Sequence, residues 1–159
     1  EYIQGSTLRD WTRHHEVDFI KAATICRDLA SALHAAHQES VIHRDLKPNN
    51  VLITEDGQVR ITDFGLAKRS DVESTIAVDG AIIGTFSYMS PEQADGKASS
   101  VDGRCDIYAL GIILYEFLAN RVPSKGSTSQ QMTSKTNQSL HVDFHRRKNY
   151  GAGLNEIDY

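Results

Sequence analysis

The run His43-Arg44-Asp45-Leu46-Lys47-Pro48-Asn49-Asn50, followed by Asp63-Phe64-Gly65, gathers the side chains of this sequence that could do chemistry. The first run holds a carboxylate (Asp45), an ammonium group (Lys47) and an amide (Asn50). The second adds the Asp63 carboxylate beside a glycine. Together they supply a proton acceptor, a cation that can neutralise phosphate charge and two oxygen ligands for a hard metal. Moving a phosphoryl group from a metal-bound nucleotide needs these parts and little covalent chemistry from the protein. Either aspartate alone would be read as a solvated turn carboxylate. Both motifs, in order and with a regular element between them, outweigh that reading.

Ligands drawn from two loops need a rigid support. A helix is predicted from about Asp18 to Gln38, with Ile25, Leu29, Leu33 and Ala36 on one apolar face and Asp18 as N-cap. Between the two motifs, Val51-Leu52-Ile53 and Val59-Arg60-Ile61 flank an Asp56-Gly57 turn, which predicts a short hairpin. Residues 66–90 show little periodicity and read as a long, mobile loop. Pro91 suits the first position of a helical turn. A second long helix is predicted from about Asp102 to Ala119. Its apolar residues cover most of its circumference, as in a central, buried helix.

The 159 residues are enough for one domain with a real core, and the composition is that of an ordinary globular chain. A net charge of −4 argues against a nucleic-acid surface, which would need a basic footprint. The apolar stretch 109–119 is too short to span a bilayer, and no signal-peptide pattern is present. Cys26 and Cys105 have no metal-ligand spacing and are expected to be buried free thiols in a reducing, cytoplasmic compartment. His34 and His37 are expected to be exposed or packing residues rather than metal ligands, and His14 and His15 face different ways. Residues 1–119 carry 18 acidic and 11 basic side chains, whereas residues 120–159 carry 3 and 6. The Ser/Thr/Gln/Asn/Lys-rich stretch 124–139 offers almost no apolar anchor, so disorder is expected there.

The spacing from His43 to Asn50 fits the kinase signature His-Arg-Asp-Leu with an Asn five residues after the Asp. With Asp63-Phe64-Gly65 after the hairpin, the chain resembles the C-terminal lobe of a eukaryotic-like, bacterial-type Ser/Thr protein kinase, starting at the hinge. Lys47-Pro48 favours the Ser/Thr branch, and Tyr88-Met89-Ser90-Pro91-Glu92-Gln93-Ala94 resembles the bacterial members. The resemblance implies a mainly α lobe with a short β-hairpin (α+β), with no N-terminal lobe in this sequence. Residues 1–122 are expected to form a partial kinase domain, and 123–159 a polar, basic tail unlike the family.

Carried over residue by residue, the resemblance makes Asp45 the group that accepts or orients the substrate hydroxyl proton and Lys47 the cation that neutralises the transferred phosphoryl group. Asn50 and Asp63 would hold Mg2+, and His43 and Phe64 would pack the site onto the core. The Glu1 carbonyl and Ile3 amide would face the adenine of ATP. The loop 66–90 would be the activation segment, in which Thr85 bonds Asp45 and Lys47 at the substrate-docking turn. A phosphate on that segment could pair with Arg44. Ser70, Ser74 and Thr75 are candidate acceptors, each readable also as an ordinary exposed hydroxyl. Asp106 matches a helix aspartate that bonds the catalytic-loop backbone, the alternative being a dipole-favoured residue in a first helical turn. Ser90-Pro91-Glu92 stands where the family has Ala-Pro-Glu, a departure expected to be harmless. Glu92 would pair with a later Arg, and Arg146 and Arg147 lack the expected surroundings.

The implied activity is transfer of the ATP γ-phosphate to Ser/Thr hydroxyls of a protein partner. The Gly-rich loop and strand lysine of the family do not occur in this sequence, so the chain by itself is expected to be nearly inactive. A non-catalytic kinase-like binding module and a truncated, non-functional product are the alternatives. Oligomeric state, protein substrate and activating signal are left open by the sequence.

Overall fold

In the computed structural model, residues 3–64, 87–94 and 101–123 are described. Within them the order is β1 (Gly5–Thr7), α1 (Leu8–His14), α2 (Phe19–Gln38), a 3-10 turn (Pro48–Asn50), β2 (Val51–Thr54), β3 (Val59–Ile61), α3 (Pro91–Ala94) and α4 (Arg104–Ala119). The expected tail and most of the expected activation segment fall outside the described residues.

Asp18 caps α2 as anticipated, its Oδ1 accepting the Lys21 amide at 2.7 Å. Ala22, Ile25, Leu29 and Leu33 form the buried stripe, while Ala36 is only half-buried. The helix ends in a Schellman arrangement. Ser40 adopts a left-handed φ of 58°, its amide bonds the His37 carbonyl, and the Val41 amide reaches back to the Ala36 carbonyl. This reversal turns the chain towards His43.

The three strands form an antiparallel sheet in the order β1-β2-β3. The hairpin β2-β3 is the one the Asp56-Gly57 signal predicts, with Gly57 at a φ of 82°. Strand β1 is an addition that the sequence pattern did not reveal. It pairs Gly5 with Thr54 and Thr7 with Leu52. Glycine is required at position 5, because a Cβ there would lie 2.4 Å from the Ile53 carbonyl oxygen. Thr7 then caps α1 by accepting the Asp10 amide.

The core joins Leu8 of α1, the α2 stripe, Val51 and Ile53 of β2, Tyr88, and Ala109, Ile112, Ile113 and Phe117 of α4. Helix α4 starts at Arg104, after Gly103, and ends at Asn120, whose φ of 55° is left-handed. It is less enclosed than its composition predicts. Ile107 and Leu114, seven residues apart on one face, are 52% and 36% exposed. No helix among the described residues is long and apolar enough to cross a membrane.

Candidate active site

Leu46 is 2% exposed, so the residue after Asp45 is driven into the core and fixes the loop from inside. Asp45 remains at the surface, with its side chain 37% exposed. Its Oδ2 receives two donors, Lys47 Nζ at 2.7 Å and Asn50 Nδ2 at 3.1 Å. Asn50 Nδ2 also donates to the Asp45 carbonyl at 2.9 Å. The 3-10 turn makes this possible, since the Asn50 amide bonds the Lys47 carbonyl and brings the three side chains around one carboxylate. Asp45 Oδ1 has no partner among the described residues.

Asp63 lies on the second loop, exposed and at a left-handed φ of 63°. A non-glycine residue there costs of order 1 kcal/mol, and such strain tends to gather at functional sites. The loops are joined through His43, which is fully buried. Its Nε2 contacts the Thr62 carbonyl at 2.8 Å, and its Nδ1 accepts the Asp45 amide at 3.2 Å. The Thr62 amide in turn bonds the Asn50 carbonyl. Phe64 meets the imidazole edge-on at a centroid distance of 4.8 Å.

Arg44 carries the other strained backbone of the site, at a φ of 68°. Asp106 of α4, 1% exposed, holds it. The Asp106 carboxylate accepts the His43 amide on Oδ2 at 2.9 Å and the Arg44 amide on Oδ1 at 2.8 Å. His37 Nε2 contacts the same Oδ2 at 2.8 Å. The sequence expectation for His37 omitted this bond. Gly103 makes room for it, because a Cβ there would lie 2.9 Å from the His37 ring. The Cys105 thiol also points to Asp106 Oδ1. Burial, then the Asp106 carboxylate, push that thiol up to about 12.

Two more contributors were given no role at the site by the sequence, where Gln93 stood only within a motif and Ser90 only as a small-for-small departure. Gln93 of α3 donates from Nε2 to the Arg44 carbonyl at 2.7 Å. Ser90, fully buried, donates to Gln93 Oε1 from both its amide and its hydroxyl, each at 3.1 Å. Serine here is therefore bonded into the site, not an idle replacement for alanine. The Ser-x-x-Gln spacing before a helical turn was the available signal.

Ile3 is half-buried before β1, and Glu92 sits on α3 close enough for its charge to act on Arg104 and Tyr108. Glu1, Ser70, Ser74, Thr75, Thr85, Arg146 and Arg147 lie outside the described residues. Cys26 is only partly buried, and desolvation raises its thiol to about 11. No cluster of three or more His, Cys, Asp or Glu side chains suited to a metal occurs among the described residues. Among the described residues, Asn50 and Asp63 could each lend a hard oxygen ligand to a metal at this site.

A carboxylate with one oxygen held and one open, a cation on it and a neighbouring amide and carboxylate are suited to transfer of a charged group to a hydroxyl. The model of the protein kinase domain family matches residues 1–153, a span that continues past residue 122. A probable serine/threonine-protein kinase of Clostridium acetobutylicum is 39% identical over 143 residues, covering 89% of this chain and 21% of that protein. The serine/threonine-protein kinase PrkC of Bacillus subtilis is 38% identical over 136 residues, covering 85% and 20%. PknB of Mycolicibacterium smegmatis is 40% identical over 131 residues, covering 80% and 20%. The chain thus spans about a fifth of the length of the curated relatives it matches. By that match the chain belongs to the protein kinase family, among the bacterial-type serine/threonine protein kinases.

Proposed function

We propose that this chain is the C-terminal, phosphoryl-transferring lobe of a kinase that moves the γ-phosphate of ATP to serine or threonine hydroxyls of proteins. The convergence on Asp45 carries this reading. Lys47 and Asn50 hold Oδ2 and leave Oδ1 to receive the proton of an acceptor hydroxyl. General-base positioning of this kind contributes about 10² to 10⁴ in rate. Lys47 supplies positive charge where negative charge develops on the transferred group.

Asn50 and Asp63 would hold the magnesium of the nucleotide. The donor set fits. Asn50 Nδ2 is committed to Asp45, which leaves Oδ1 without a donor among the described residues. The exposed Asp63 carboxylate has no partner among them either. Both are hard oxygen ligands of the kind magnesium selects. When bound, the metal nucleotide supplies the activated phosphoryl group and much of the charge neutralisation. The backbone of Glu1 and Ile3 would face the adenine, and Thr85 would dock the substrate against Asp45 and Lys47. A phosphate on Ser70, Ser74 or Thr75 would pair with Arg44 and order the segment. The Arg44 guanidinium has no hydrogen-bond or ion-pair partner among the described residues, which supports that role.

The test is label transfer from γ-labelled ATP by the full-length protein to serine, threonine and tyrosine peptides. Label on the first two, reduced about 10² to 10⁴-fold by Asp45→Asn, is the expected result. Label on tyrosine alone, or transfer indifferent to Asp45→Asn, would contradict the reading.

A further inference from the structure

We propose that Gln93, oriented by Ser90, is a positioning residue for Asp45. It would couple the segment leading into α3 to the loop that carries the proton acceptor, and it rests on the reading of Asp45 given above. The orientation of the Gln93 amide follows from chemistry. The Arg44 carbonyl can only accept, so Nε2 must face it at 2.7 Å. The Ser90 amide can only donate, so Oε1 must face it at 3.1 Å. The Ser90 hydroxyl adds a second donor to the same oxygen.

The peptide held in this way is the strained one. Arg44, at a φ of 68°, is gripped on its amide side by Asp106 and on its carbonyl side by Gln93. That carbonyl belongs to the peptide linking Arg44 to Asp45, so Gln93 sets the plane from which the Asp45 backbone departs. Gln93, Arg44, Asp45 and Tyr88 also line one small cavity with Cys105 of α4. A shift of Ser90 would therefore reach Asp45 through a single side chain.

The test uses the full chain without nucleotide, so its outcome is independent of whether phosphoryl transfer occurs. Gln93→Glu keeps volume and the acceptor facing Ser90 but sets a carboxylate oxygen against the Arg44 carbonyl. Gln93→Met keeps only the packing, and Ser90→Ala removes one of the two donors to Oε1. Amide exchange at Arg44 and Asp45 is expected to rise about tenfold in Gln93→Glu and Gln93→Met, and less in Ser90→Ala, with Leu29 and Leu33 unchanged. The Arg44 carbonyl 13C resonance moves in both Gln93 variants, a signature that loss of packing alone does not give. Unchanged exchange and carbonyl shift at Arg44, or equal acceleration at Leu29 and Leu33, overturns the proposal.

Discussion

The imidazole of His43 donates from Nε2 to the carbonyl of Thr62 at 2.8 Å, a bond between the loop of Asp45 and the residue before Asp63. A carbonyl only accepts, so the ring proton is on Nε2, and Nδ1 is left as acceptor for the Asp45 amide. One neutral, buried ring thus sets the separation of the two carboxylate-bearing loops.

His43→Phe keeps an aromatic ring beside Phe64 but strands the Thr62 carbonyl and the Asp45 amide. Both groups are half-buried, so each costs towards the lower end of the about 1 to 3 kcal/mol of an unsatisfied buried group. A loss of about 2 to 4 kcal/mol is expected. A urea midpoint series measures it. A loss under about 0.5 kcal/mol would show that the ring acts by packing alone.

Gly103→Ala and His37→Ala attack the same bond from opposite sides. A methyl at 103 enters the space of the His37 ring, at 2.9 Å from it, and turns the ring from Asp106. Each single variant is expected to cost about 1 to 2 kcal/mol. The double variant should fall short of the sum by about 1 kcal/mol, because the second change removes a bond already lost. Strict additivity in the denaturation cycle would place the two residues in separate interactions.

Cys105 should behave as an inert thiol although it adjoins the site. Burial and the Asp106 carboxylate raise it to about 12, so at pH 8 only about one part in ten thousand is thiolate, the reactive form. Because its pKa is raised above that of a free thiol, the folded chain keeps Cys105 protonated through the range where the unfolded thiol already ionises. Iodoacetamide at pH 8 should modify Cys105 in urea and spare it in the folded chain. Equal rates in both states would contradict the environment described for it.

Much of this arrangement was legible in the sequence wherever the signal was local. Asp18, Ile25, Leu29 and Leu33 announced α2, and Asp56-Gly57 announced the hairpin. The features that escaped depend on long-range partners. Gly5-Ser6-Thr7 has no strand pattern of its own and becomes β1 only by pairing with β2. His37 meets Asp106 across 69 positions, and Gln93 meets the Arg44 carbonyl across 49. Neither pair leaves a periodicity to read. Ser90 and Gln93 did leave a capping-box spacing, but its contact with the site lies outside that local pattern. The even apolarity of α4 overstated its burial, since composition fixes what a face prefers and not what covers it.

The central claim is that Asp45, Lys47, Asn50 and Asp63 form one metal-nucleotide and proton-transfer site. Its most direct test on this chain is Mn2+ as a paramagnetic stand-in for Mg2+, titrated with ATP while backbone resonances are followed. Selective broadening at residues 45–50 and 63, dependent on ATP, reversed by excess Mg2+ and lost in Asp63→Asn, is the predicted result. Broadening centred elsewhere, such as at Glu55 and Asp56 of the hairpin turn, or unaffected by Asp63→Asn, would contradict it.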